Sequence, residues 1–370
     1  MAPLEPYEKV LVDEEFLDED PHGEIACETC HGGNPKATKR EDAHQGLIPD
    51  PSFPDATKAC GECHEEIVEV AKSSPHVTLS GFKHSIGMRA STDETVRGKI
   101  FQEGMKTHCY SCHSSCGQCH VSRPDSVEGG FVSGHLFSKT PPMETNCTSC
   151  HGSRIEKEYL GKNKGFPGDV HYAKRGMKCV ACHTGEEMHG TGKVYNHRYD
   201  VENAPRCENC HKDAISLNSK IKAHKLHRGK VSCHVCHAVA YKNCYSCHVG
   251  KDAHGLPYFK TAKSELGFKI GLNPAPNQLK PYKFVTVRHI PVSKGTFDFY
   301  VKGGLANFDA LPNWKVATPH NIQRKTPQNK SCNSCHGKKE LFLLEKDVAP
   351  EEQLANKKVI VPEDAIPRPR

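Results

Sequence analysis

Residues 109–120 read CYSCHSSCGQCH and hold two copies of CxxCH whose first cysteines lie seven residues apart. Two thiols at this spacing, with a histidine directly after the second, are the reactive set for c-type haem. Each thiol adds across one vinyl group of a single porphyrin, and the histidine takes one axial position on the iron. Seven residues of fully extended chain reach only about 25 Å. Two porphyrins fixed by these two copies therefore lie almost edge to edge.

The pentapeptide occurs ten times. Its cysteine pairs are Cys27 and Cys30, Cys60 and Cys63, Cys109 and Cys112, Cys116 and Cys119, Cys147 and Cys150, Cys179 and Cys182, Cys207 and Cys210, Cys233 and Cys236, Cys244 and Cys247, and Cys332 and Cys335. The histidines that close them are His31, His64, His113, His120, His151, His183, His211, His237, His248 and His336. These pairs use all 20 cysteines, so none remains for a structural disulfide or a free nucleophile. Zinc held by paired CxxC would need no histidine after every second cysteine. Ten covalently attached haems c are the expectation.

Ten of the 25 histidines belong to the motifs, which leaves fifteen, more than enough to place a second imidazole on every iron. The candidates are His44, His76, His84, His135, His171, His189, His224, His227, His254, His289 and His320. His22 is a reserve. His108 and His197 rank below the others, as does His234, which sits inside its own motif. Iron with imidazole on both faces has no position for a substrate, so the expected work is outer-sphere electron transfer and no catalytic residue is assigned. The alternative is a reductase of a small nitrogen or sulfur oxyanion, which needs only one haem with an open distal face.

The elements that must position these ligands are short. Hydrophobic residues make up 36% of the chain and tryptophan occurs once, yet ten apolar macrocycles must be buried in 370 residues. The haems are then much of the core, and the apo-chain is expected to lack a stable fold. The predicted fold is mostly irregular, with short α-helices wrapped around a haem chain and a small β element near residues 282–301. There KFVTVRHIPV and GTFDFYV alternate in polarity and are rich in β-branched and aromatic residues. Motif intervals run from 7 to 88 residues, too uneven for a solenoid. Four regions follow: an acidic arm over 1–24, a nine-haem region over 25–254, a haem-poor insertion over 255–330, and the tenth site with a tail over 331–370. The arm carries nine acidic residues against one lysine.

The formal charge of +6 becomes about −4 with ferric and about −14 with ferrous haems once twenty propionates ionise. A nucleic-acid partner is thereby not indicated. No apolar run approaches the length of a membrane span, and the N-terminus, MAPLEPYEKVLVDEEFLDED, has no stretch resembling a secretion signal.

Ten motifs, close pairs and the lack of a catalytic signature resemble the multihaem c-type cytochromes secreted by metal-reducing and syntrophic microbes. Within these the chain looks most like extracellular cytochromes that polymerise into haem-stacked filaments. That resemblance implies other cytochromes or copies of the same chain as partners, external electron acceptors, and a secreted or cell-surface location with the periplasm as neighbour. Because haem is attached after export in such systems, an export signal removed from this chain is expected. A periplasmic decahaem conduit within a porin is the adjacent alternative. One segment, ATKACGECHEEIVEVAKSSPH from Ala56 to His76, is similar to a stretch of octahaem tetrathionate reductases and their relatives.

Overall fold

A computed structural model describes residues 4–110, 114–124 and 127–370. Short helices and turns alternate with loops, and the strands form two small antiparallel sheets. The cause is local. With 25 prolines and 30 glycines, most helical runs are interrupted within two turns. The longest helices among the described residues are Gly61–Ala71 and Ser80–Arg89. Many short helices begin on a side-chain cap, a device that satisfies amide groups a short helix cannot bond internally. Asp13 accepts from the Phe16 amide at 3.2 Å, Ser115 and Gln118 form a reciprocal capping box, and Asp169 caps Val170–Arg175.

The chain divides into two compact units. One comprises Met1–Gly81, Cys109–Gly152 and Lys178–Arg198, and the other Phe82–His108, Ser153–Met177 and Tyr199–Arg370. The first has scattered buried apolar residues, such as Phe16, Val68 and Met143, and six of the motifs. The second has the remaining four and an apolar core built by residues alone.

That core rests on a three-stranded sheet of β3 (Lys269–Leu272), β4 (Phe284–His289) and β5 (Trp314–Val316), with β4 in the middle. Val285, Val287, Trp314, Leu343, Val348 and Val359 form one cluster, and Val235, Ile270, Phe342, Leu344, Val361 and Ile366 another. A preceding hairpin, β1 (Tyr241–Lys251) with β2 (Pro257–Gly267), pairs Tyr241 with Gly267 and Lys251 with Pro257.

The β element expected near 282–301 is present, but its pairing differs from the sequence reading. KFVTVRHIPV supplies β4, whereas GTFDFYV is a run of turns. Pro291 and the Ser293–Thr296 hydrogen bonds, Thr296 Oγ1 to Ser293 O at 2.9 Å among them, fold the chain back before a second strand can pair. The partners of β4 come instead from residues 269–272 and 314–316. No helix among the described residues is long and apolar enough to cross a membrane.

Candidate functional site

Eight of the ten motifs lie on a helical or 3-10 turn. Cys27–His31, Cys116–His120 and Cys233–His237 are each a single helical turn. Elsewhere the histidine amide bonds back to the first cysteine carbonyl, His64 to Cys60 at 2.8 Å, His211 to Cys207 at 2.8 Å, and His183 to Cys179 and His336 to Cys332 at 2.9 Å. The Cys147 motif runs through Thr148–His151. On such a turn residues three and four apart share a face, so both sulfurs and the imidazole address one ligand. Among the described residues the cysteines are not closed into disulfides. Cys112 and His113, assigned to the third motif, lie outside the described residues.

Seven motif histidines each face one histidine from elsewhere in the chain. The ring centroids are separated by 6.0 Å for His31 and His135, 6.2 Å for His64 and His22, 6.1 Å for His120 and His189, and 6.4 Å for His151 and His76. In the second unit the distances are 6.0 Å for His211 and His171, 6.1 Å for His237 and His224, and 6.0 Å for His336 and His227. Stacked rings lie closer, as with His22 on Phe137 at 4.1 Å and Tyr245 on His289 at 4.2 Å. A metal–imidazole bond of about 2.0 Å, plus about 1.1 Å from nitrogen to ring centre, puts two trans imidazoles on one metal about 6.2 Å apart. Every observed pair falls within 0.2 Å of that spacing. The donor set fits a bis-imidazole iron.

Further hydrogen bonds fix the rings. A Nδ1–H donated to a carbonyl or carboxylate leaves Nε2 with its lone pair for a metal and sets the ring's rotation. His31 Nδ1 meets Ile48 O at 2.8 Å, His120 Nδ1 meets Ser138 O at 2.7 Å, and His237 Nδ1 meets Gln323 O at 3.0 Å. Among the second histidines, His22 Nδ1 lies 2.8 Å from Asp20 and His171 Nδ1 lies 2.7 Å from Asp169. Burial holds His76, His135, His189 and His224 below the usual histidine value and takes His151 down to about 4, so these rings are neutral and able to donate electrons. Several buried polar atoms have no protein partner: Nε of Arg123 and Arg206, both amide atoms of Asn203, and Nδ1 of His135 and His224. Propionates would satisfy the guanidinium and amide donors.

His22, a reserve on sequence grounds, faces His64. Its signal was the preceding Asp-Pro: a capping side chain two residues before the histidine takes both its amide and its Nδ1, as Asp20 does here and Asp169 does for His171. Ser74 likewise accepts from the His76 amide at 3.2 Å. His84 lies on the helix Ser80–Arg89. His44 and His254 are not brought opposite a motif ring among the described residues; His254 is exposed in the β1–β2 turn, its amide bonded to Asp252. His320 spends Nδ1 on Thr318 O at 2.9 Å and its amide on Glu158. His289 is not presented to a motif histidine. It is 1% exposed, with Nδ1 on Cys244 O at 2.7 Å and Nε2 on Glu352 at 2.9 Å, because it ends β4 facing the core. Among the low-ranked histidines, His108 Nε2 bonds Tyr300 OH at 2.8 Å, and burial holds His234 at about 4.

The ninth motif departs from the others. Cys244, Cys247 and His248 lie on β1, where cross-strand pairing sets Cys244 opposite Ser264 and Cys247 opposite Thr261. Both cysteines are buried on this strand, 7% and 2% exposed, instead of being presented on a turn as in the other described motifs. Ser246, between them, is held at φ 46°, a left-handed conformation costly for serine.

Residues 59–152, about a quarter of the chain, match the family model described as cytochrome c554 and c-prime. No curated protein and no solved structure matches. The matched segment contains the motifs at Cys60, Cys109, Cys116 and Cys147 and the paired histidines His76 and His135. The match makes this segment similar to multihaem c-type cytochromes. Haem c supplies a reversible one-electron couple at iron. The chain's own part would be to tether the macrocycle through two sulfurs and to orient imidazoles through Nδ1.

Proposed function

We propose that this chain is an electron carrier in which ten c-type haems, each with imidazole on both axial faces, form a closely spaced route for charge. The observation that carries the reading is the narrow 6.0–6.4 Å band of ring separations, always between one motif histidine and one histidine from elsewhere. Such ligation favours electron transfer with little change in geometry. We further propose an exported protein that works outside the cytoplasm, exchanges electrons with external acceptors or other cytochromes, and assembles with copies of itself into filaments. Support for this comes from the motif density, the acidic arm over 1–24, and the basic segment 212–230, which holds six basic residues against one acid.

Mass spectrometry of the holoprotein, with absorption and EPR spectra in both redox states, tests the first proposal. Ten attached haems, all low-spin, are expected. Far fewer haems, or a high-spin fraction accompanied by turnover of nitrite, hydroxylamine or tetrathionate, would favour the reductase. Electron microscopy tests assembly: uniform helical fibres are expected, and dispersed particles at high concentration overturn it.

A further inference from the structure

The motifs are tied to one another by hydrogen bonds that do not follow their order in the sequence. In the first unit Asn146, the residue before Cys147, donates from Nδ2 to the carbonyl oxygens of Gln118, Cys119 and Ser122 at 3.0, 3.0 and 2.9 Å. One side chain thus clamps the Cys147 motif to the Cys116 motif. Cys147 and Cys179 line the same cavity, and Lys178 Nζ stands 3.6 Å from the Glu144 carboxylate beside them. Asp20, which orients His22 opposite His64, accepts the Phe137 amide at 2.6 Å, and the next carbonyl, Ser138 O, accepts from His120 Nδ1 at 2.7 Å, so one short segment joins the Cys60 and Cys116 motifs although the Cys109 motif lies between them in sequence.

The second unit repeats the pattern. Thr326 Oγ1 and Asn329 Nδ2 both donate to Cys236 O, at 2.6 and 2.9 Å, and the turn Pro327–Asn329 leads into Cys332. His224 and His227, on the single helix Lys222–His227, face His237 and His336 respectively. The eighth and tenth motifs therefore draw their second imidazoles from one helix. Asp169, which orients His171 opposite His211, accepts the Ile322 amide at 2.8 Å, and the next carbonyl, Gln323 O, accepts from His237 Nδ1 at 3.0 Å, which joins the Cys207 and Cys233 motifs.

Each motif carries the attachment atoms of one porphyrin. Two porphyrins on motifs held together by one side chain, one short segment, one cavity or one helix are neighbours. From this we infer the order of the haems within each unit: Cys60, Cys116, Cys147, Cys179 in the first, and Cys207, Cys233, Cys332 in the second. The direct step from Cys60 to Cys116 passes over the Cys109 motif, and the step from Cys233 to Cys332 passes over the Cys244 motif. The Cys244 motif holds a side position on the route. The inference rests on the proposed bis-imidazole haems and adds their connectivity.

A cryo-EM map of the full holoprotein tests it. The irons of His64 and His151 are expected as neighbours of the iron of His120, and the irons of His211 and His336 as neighbours of that of His237. An iron of the Cys109 motif between those of His64 and His120, or of the Cys244 motif between those of His237 and His336, overturns the order. Irons without a second imidazole would instead overturn the underlying ligation, a separate and recognisable failure. As a second measurement, C244A/C247A and C233A/C236A each lose one haem. Only the second is expected to slow electron equilibration between the haems of Cys207 and Cys332 after photoreduction. Equal slowing in both variants overturns the assignment.

Discussion

Asp20 holds His22 twice: one carboxylate oxygen, Oδ1, accepts from the His22 amide at 2.9 Å and from its Nδ1 at 2.8 Å. The other oxygen accepts from the Phe137 amide, so the carboxylate joins the ligand loop to the segment whose ring stacks on His22. An orienting carboxylate typically contributes 10- to 100-fold in metal affinity. D20A is expected to weaken the His22 bond to the iron of His64 by about that factor. Cyanide titration of the ferric protein, followed by absorbance, checks this. One haem should bind cyanide about ten- to a hundredfold more tightly than any in the parent, and an unchanged titration would show that the carboxylate does not orient the ligand.

His76 and His289 separate ligation from structure. His76 faces His151 at 6.4 Å, so H76A is expected to convert one haem to high spin, measured by EPR of the ferric protein, while the others keep their spectra. His289 stacks on Tyr245 at 4.2 Å and bonds Cys244 O and Glu352. H289A should leave every haem low-spin and cost about 1–3 kcal/mol of stability, since Glu352 and the Cys244 carbonyl lose a buried partner. A high-spin haem in H289A would show that this histidine is a ligand after all.

The contrast between these two histidines marks what the sequence revealed. Attachment sites were legible because thioether chemistry demands fixed residue types at fixed spacing, and a mostly irregular fold followed from ten such sites among many prolines and glycines. Second ligands were less legible: a lone histidine has no spacing rule, and its partner lies 13 residues away for His224 and His237 but 109 for His227 and His336. His22 was underrated because the Asp-Pro-His cap was not weighed as a ligand device. His289 was overrated because β4 was expected to pair with 295–301; its actual place in the sheet of a residue-built core turns that ring inward. Residues 341–344 are an apolar run in the sequence, but their packing with β3 and β4 depends on contacts distant in sequence.

Glu158 and Arg288 form a buried ion pair in which the carboxylate also accepts the His320 amide at 2.9 Å. Removing one member of such a pair leaves the other charge buried, at a cost of about 3–5 kcal/mol. E158Q and R288M are each expected to lose that much in urea unfolding, and the double variant less than the sum. Burial, which outweighs the Arg288 charge, raises the Glu158 carboxyl above its ordinary value. The folded state therefore binds more protons than the unfolded state across that window, so parent stability falls as pH rises through it. E158Q should lack this slope, and additive single losses would show that the pair is not coupled.

Haem attachment at Cys244 and Cys247 and the β1–β2 hairpin compete for one segment. The strand buries both sulfurs, whereas thioether formation to one porphyrin needs them open to it, as on the turns of the other described motifs. A two-stranded ribbon is marginal alone, while two covalent bonds are permanent once made. The ribbon is the side that yields: in the holoprotein residues 244–248 should form a helical turn and lose the pairing of Cys244 with Ser264 and Cys247 with Thr261. Ser246, strained on the strand at φ 46°, is where that change would relieve backbone cost. Peptide mapping checks this by finding a haem-linked fragment over 241–251, together with loss of hydrogen-exchange protection at residues 257–267, the freed partner strand. A haem-free fragment with both thiols open to alkylation, and a strand still protected from exchange, would mean that nine haems and an intact hairpin are the native state.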